Sequence, residues 1–178
     1  MKLIGIAKFE ENVGFFYFKG LGEYAAYWAE KETGIMFGQS LVGAHYTFFN
    51  DAFDKIEASD LRRMKEELDG KLFEFEVDLS KARIQKSKTK GHYAVYLDYE
   101  DERIIDLRKG FDIVNKKFWG HFSLCSTKAA GICEPKIKWK TITDKGNKNL
   151  DFWIHDVSFE QGQKQNGERR QNKYKNER

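Results

Sequence analysis

Two of the four histidines in this chain sit in the same local pattern, Gly43-Ala44-His45-Tyr46-Thr47-Phe48-Phe49 and Trp119-Gly120-His121-Phe122-Ser123-Leu124-Cys125. In each, a hydroxyl residue follows the histidine at the second position, within a run of residue types suited to a strand. Side chains on a strand alternate between faces, so His45 and Thr47 project to one side while Ala44, Tyr46 and Phe48 go to the other. His121 and Ser123 do likewise, opposite Gly120, Phe122 and Leu124. A single His-x-Thr is a common feature of strands with no chemical role. Two copies, 76 residues apart and each following a small residue, point to a paired site.

Two neighbouring strands of this kind would bring two imidazoles and two hydroxyls to one point, which suits phosphodiester chemistry without a metal. One imidazole takes a proton from the attacking hydroxyl and the other gives a proton to the leaving oxygen; an ordinary histidine pKa near 6.5 keeps both forms accessible. Thr47 and Ser123 would donate hydrogen bonds to the non-bridging phosphate oxygens, each such donor being worth roughly 2.7–4 kcal/mol in a preorganised site. Which histidine is acid and which is base stays open.

Further residues are candidates for substrate contact. Lys81, Arg83, Lys86, Lys88 and Lys90 form an acid-free basic run on or near a turn, able to draw in a polyanion and equally able to be a solvated hairpin. From this run Lys86 and Lys88 are taken as substrate-binding candidates. Tyr17, Trp119, Trp139 and Trp153 are candidate stacking platforms, weighed against ordinary core roles, with Tyr17, Trp119 and Trp153 preferred. His92 and His155 lack the hydroxyl two positions on and are read as structural. A zinc site from His121, Cys125 and Cys133 fits no familiar ligand spacing and lacks a fourth ligand, so no metal and no cofactor are expected.

The motifs need elements to hold them. Residues 3–9 and 14–18 read as strands joined by a hairpin turn, and residues 21–33 as a helix with Tyr24, Ala25 and Trp28 on one stripe and Gly34 as its stop. Residues 44–50 form the first motif strand. A second helix opens at Ser59 and Asp60, carries Leu61, Met64 and Leu68, and ends at Gly70. Residues 71–85 alternate as one strand and residues 93–99 as another. A third helix starts at Asp101 and Glu102 and runs past Gly110 with Ile104, Leu107, Phe111 and Val114 along one side. Residues 118–125 form the second motif strand, and residues 135–143 and 152–160 two more. This order argues for an α+β domain with antiparallel or mixed sheets and helices on the outer faces.

Composition is consistent with that unit. The chain has 178 residues, 40% of them hydrophobic, and its 31 Lys plus Arg exceed its 28 Asp plus Glu by three. Residues 160–178 account for that excess, with six positive and three negative charges. They contain no aliphatic residue and are expected to be a disordered basic tail, 161–178, after a single domain, 1–160. No run approaches the ~18 apolar residues of a membrane span, and the start is too weakly apolar for a signal peptide. Cys125 and Cys133 cannot form a disulfide framework and read as reduced thiols, as in a cytoplasm.

With AHYTFF and GHFSLC as its motifs, the stretch from about 1 to 160 resembles the 2H phosphoesterases, named for two His-x-Thr/Ser motifs on strands of a two-lobed α+β fold. The resemblance implies two mostly antiparallel sheets forming a central cleft, His45 and His121 as the acid/base pair, Thr47 and Ser123 as phosphate holders, and no metal. Members open 2′,3′-cyclic phosphates, process RNA ends, or cleave cyclic and linear oligonucleotides. The chain departs from the bacterial RNA cyclic phosphodiesterases, lacking a proline-rich approach to the first motif and the Leu-Gly segment after it. Its early first motif, small size and Lys-rich, Pro-poor make-up look more like viral members, among them the phage anti-CBASS nucleases.

The expected function is a metal-independent phosphodiesterase of the cytoplasm, the host's if the chain is viral. A cyclic oligonucleotide second messenger is the preferred substrate, ahead of an RNA 2′,3′-cyclic end. The rival is a protein that sequesters a nucleotide without cutting it. Neither a membrane nor an obligatory protein partner is implied.

Overall fold

A computed structural model describes residues 1–86, 92–114 and 118–132, together with the backbone of 148–149. The aromatic-rich segments Lys2–Glu10 (β1) and Val13–Phe18 (β2) pair as an antiparallel hairpin. Helix α1 (Leu21–Thr33) leads to the first motif strand, β3 (Ala44–Asn50), and helix α2 (Ala58–Leu68) to β4 (Leu72–Glu76). The strands β5 (Arg83–Lys86) and β6 (Tyr93–Asp98) come next, then helix α3 (Glu102–Gly110), the second motif strand β7 (His121–Ser126) and the two-residue β8 (Lys148–Asn149). The eight strands among the described residues lie in one sheet of order β4-β1-β2-β3-β7-β6-β5-β8, with each pairing antiparallel.

The fold is α+β. Where two sheets were expected, the strands are hydrogen-bonded into one. Its four-stranded halves meet where β3 pairs with β7, and only His45–Ser123 and Tyr46–Phe122 are matched at that seam.

One face of the sheet carries the core. Ala44, Tyr46 and Phe48 of β3 and Phe122 and Leu124 of β7 are buried together with Phe16, Phe18 and Phe75. Edge-on contacts such as Phe75–Phe122, with centroids 5.5 Å apart at 79°, and Tyr46–Phe122, 5.3 Å apart at 68°, pack these rings in the arrangement aromatic quadrupoles favour. Helix α1 packs on β7, α2 on β1 and α3 on β3. The buried stripe of α1 is Leu21, Gly22, Ala25 and Ala29, with Tyr24 and Trp28 only half-buried beside it. Small residues let that helix lie close to the sheet.

Three expectations about the elements are corrected. Residues 71–85 are not one strand: β4 pairs with β1 and β5 with β6, in different halves of the sheet. The Asp78 side chain accepts from Ser80 N at 3.1 Å and starts a 3₁₀ turn over Leu79–Lys81, which redirects the chain and shifts the apolar alternation by one residue, from Val77 and Leu79 to Ala82 and Ile84. Helix α2 starts one residue before Ser59, and its N-cap, Glu57, makes no side-chain capping bond. Helix α3 ends at Gly110 instead of passing it; Phe111 N bonds to Arg108 O at 3.3 Å and Asp112 takes a φ of 52°. Its start is capped by Asp101, whose side chain accepts from Arg103 N at 3.0 Å.

The expected strands at 135–143 and 152–160 and the basic tail lie outside the described residues. No helix among the described residues is long and apolar enough to cross a membrane.

Candidate active site

Register decides what the two motifs can share. His45 is directly opposite Ser123 on the β3–β7 ladder, and Tyr46 opposite Phe122. Opposed residues of an antiparallel pair project to the same face, so the alternation that buries Tyr46 and Phe122 turns His45 and Ser123 the other way. One step further in the same register sets Thr47 across from His121. The four side chains therefore form a block on the helix-free face, where each is partly buried. The two histidines are diagonal neighbours across the ladder, a relation that separates residues by about 7–8 Å.

The imidazoles are held in the same way. His45 Nδ1 lies 2.8 Å from Gly43 O, and His121 Nδ1 lies 3.0 Å from Trp119 O, in both cases the carbonyl two residues upstream. A carbonyl can only accept, so Nδ1 carries the proton and Nε2 is left with the lone pair that a general base needs. Burial is the main cause that lowers the pKa of each histidine below 6.5, and the carbonyl contact opposes it. The neighbouring His45 also lowers His121, an electrostatic sign of their closeness.

Glycine makes each entry to the motif strands possible. Gly43 has a φ of +70°, and a Cβ there would come within 2.6 Å of Tyr17 Cε2. Gly120 lies flat against the Tyr46 hydroxyl and the Tyr99 carbonyl, in space a side chain would fill. These contacts fix the backbone that supplies the carbonyls to the two rings.

The surroundings of the histidines differ. Trp119 stacks on His121 with centroids 3.9 Å apart and planes at 23°, and Tyr96 meets the same ring edge-on at 5.4 Å. Trp119 Nε1 donates to Asp98 Oδ1 at 2.9 Å, and Arg83 Nη2 donates to the same oxygen at 3.0 Å. His45 instead meets Phe15 edge-on at 5.8 Å and stands opposite Tyr17 on β2.

A cavity of about 120 Å³ opens beside the block, with His45, Ser123, Tyr96, His92 and Ser126 in its lining, while His121 and Thr47 lie outside that lining. It suits a group the size of a phosphate, well below the roughly 300–1,000 Å³ of a typical small-molecule pocket. His92, read as structural from the sequence, thus borders the site.

Among the residues singled out from the sequence, His45, Thr47, His121, Ser123, Tyr17 and Trp119 are gathered on or beside this face. Lys86 is not brought there. It pairs with Tyr93, and alternation gives it the same face as the buried Ile84, while Arg83 takes the site face opposite Tyr96. Lys88, Trp153, Lys90, Trp139, His155 and Cys133 lie outside the described residues. Cys125 is buried, and burial pushes its thiol pKa up.

Tyr96, Asp98 and Phe15 carry no mark in the sequence, because cross-strand register brings them to the site. Among the described residues, no group of three or more His, Cys, Asp or Glu is arranged to hold a metal ion. Comparison with known proteins found no matching protein-family model, no matching curated protein and no matching solved structure.

Proposed function

We propose that this chain is a phosphodiesterase of the 2H phosphoesterase kind, acting on RNA-like substrates by His/His acid–base catalysis without a metal. The observation that carries the proposal is the antiparallel apposition of the motifs: His45 faces Ser123, and His121 precedes that serine by two residues on the same strand face. Satisfied core histidines have no need of such an arrangement, whereas a phosphate has a use for all four groups. On this reading each four-stranded half of the single sheet contributes one motif strand.

A phosphate over the seam would accept hydrogen bonds from the Thr47 and Ser123 hydroxyls through its non-bridging oxygens. For a 3′,5′ bond the adjacent ribose 2′-hydroxyl attacks phosphorus, and Nε2 of one histidine takes its proton. The P–O5′ bond breaks, and the other histidine, protonated at Nε2, delivers a proton to the departing 5′-oxygen. The products are a 2′,3′-cyclic phosphate and a free 5′-hydroxyl. Aromatic surface on both sides, Tyr17 on one and Trp119 with Tyr96 on the other, favours a substrate with a base on each side of the scissile phosphate. Cyclic oligonucleotide messengers have that form, so they are preferred over a 2′,3′-cyclic end opened by water.

The test is incubation of the purified protein in EDTA with cyclic di- and trinucleotides and a 2′,3′-cyclic mononucleotide, beside a His45→Ala, His121→Ala double variant. Turnover by the wild type alone is expected. Activity lost in EDTA would overturn the metal-free mechanism. Tight binding without products would replace the enzyme with a nucleotide-sequestering protein.

A further inference from the structure

A second depression, of about 360 Å³, lies beside the motif face on β1 and β2, and Lys8, Glu10, Tyr17, Lys19 and Gln39 are among its lining residues. Unlike the cavity at the seam, it falls in the size range that encloses a small organic ligand, about 300–1,000 Å³. It is continuous with the candidate site in two ways. Tyr17 stands directly across from His45, and Ser40 and Gly43 line both depressions.

Its chemistry differs from that of the seam. The Lys8 ammonium lies 4.8 Å from the centroid of the Tyr17 ring, within cation–π range. Gly43 sits so close to the edge of this ring that a methyl group there would clash, so the turn holds the ring in place. Tyr17 is half-buried and Lys8 exposed, leaving ring surface and ammonium open to a ligand. An aromatic plate with a cation beside it matches a nucleobase with a phosphate. Glu10 is the one carboxylate in the lining, against two lysines.

We propose that this groove is a nucleotide subsite. It takes a base against Tyr17 and a second phosphate, beyond the scissile one, on Lys8. The preferred substrate is then an oligonucleotide with at least two phosphates, and a 2′,3′-cyclic mononucleotide leaves the groove empty. The identity of the ligand rests on the phosphodiesterase reading; the preference for a second phosphate goes beyond it.

The test uses dinucleotides that cannot be cleaved through a 2′-hydroxyl. Binding of dApdA, pdApdA and dApdAp to the full chain is measured calorimetrically at low salt. One of the terminal phosphates is expected to tighten binding at least tenfold. Lys8→Met removes that gain, Tyr17→Leu weakens all three ligands, and Glu10→Gln strengthens binding of the phosphate-bearing one. Lys8 and Glu10 are exposed, so these variants keep the fold, which circular dichroism checks. The subsite is overturned if neither terminal phosphate improves binding, if Lys8→Met retains the gain, or if no dinucleotide binds. Because binding needs no turnover, a chain that cleaves nothing yet keeps the phosphate gain loses only the catalytic reading. A chain that cleaves ribonucleotides without the gain loses only the subsite.

Discussion

His45 faces Ser123 across the seam of the sheet, so the hydroxyl nearest each imidazole across the ladder comes from the opposite motif. Neither motif is complete alone, and the separation of 76 residues along the chain is closed by a single antiparallel pairing.

Removing one hydroxyl should therefore slow the reaction without erasing it. Ser123→Ala and Thr47→Ala are each expected to lower kcat about 10²–10³-fold, as for loss of one preorganised donor, with a smaller change in KM. Steady-state kinetics on the best substrate checks this, and an unchanged kcat in both variants would remove the hydroxyls from the phosphate.

The pH dependence follows from the lowered histidine pKa values. Burial favours the neutral ring, so both histidines titrate below 6.5 in the folded protein. The profile of kcat/KM should be a bell with its maximum on the acid side of 6.5, because one ring must be neutral and the other protonated. Stability moves in a related way. The unfolded state takes up protons first as pH falls through 6.5, so stability declines from there until the folded rings titrate as well, and it is fully present above 6.5. Melting temperatures from pH 5 to 8 should show a shallower acid decline in a His45→Gln, His121→Gln variant.

Besides offering a substrate base a surface, Trp119 positions His121 through its stack on that ring and its bond to Asp98. Trp119→Leu should lower kcat, raise KM and move the His121 pKa up toward 6.5 as burial is relieved. A proton–carbon NMR titration separates this from a general loss of fold, which would move His45 too. Trp119→Phe should restore part of the stack and of the rate.

Behind the first motif strand, Arg108 of α3 donates to the Phe48 carbonyl, pairs with Asp54 at 2.9 Å, with both side chains nearly inaccessible, and lies over the Phe118 ring at 4.0 Å. Arg108→Ala leaves the buried Asp54 carboxylate without its cation, with the Asn50 N–H at 2.8 Å still donating to it, and should destabilise by about 3–5 kcal/mol. Urea denaturation measures this. An Asp54→Asn, Arg108→Met double variant should regain much of the loss, since the isolated charge is gone.

Elements whose boundaries depend on local chemistry were legible in the chain. The first motif strand, Ala44–Asn50, and helix α1, Leu21–Thr33, stopped by Gly34 in a left-handed conformation, follow from strand propensity and capping. The break after β4 was not, because it is marked only by a one-residue slip in the apolar alternation, from Leu79 to Ala82, beside Asp78 and Ser80. The motif residues were legible because each set lies on one strand. Asp98 and Tyr96 were not, since they reach the site from another strand by register, which no local pattern encodes; Lys8 comes beside Tyr17 in the neighbouring groove in the same way. Arg83 was visible as a charge in a basic run, yet its bond to Asp98 is a long-range pairing.

Rotated half a turn about an axis between β3 and β7, the register maps the four motif residues onto one another: His45 takes the place of His121, and Ser123 that of Thr47. Such an arrangement is palindromic. On the proposed reading it would accept a phosphodiester in either polarity, with donor and acceptor of the proton trading identities. Direction must then be imposed by what the symmetry does not repeat, Lys8 and Tyr17 on one flank and Trp119 with Asp98 on the other. Redesigning those margins alone would reverse the sense in which a strand is threaded, with the central chemistry untouched.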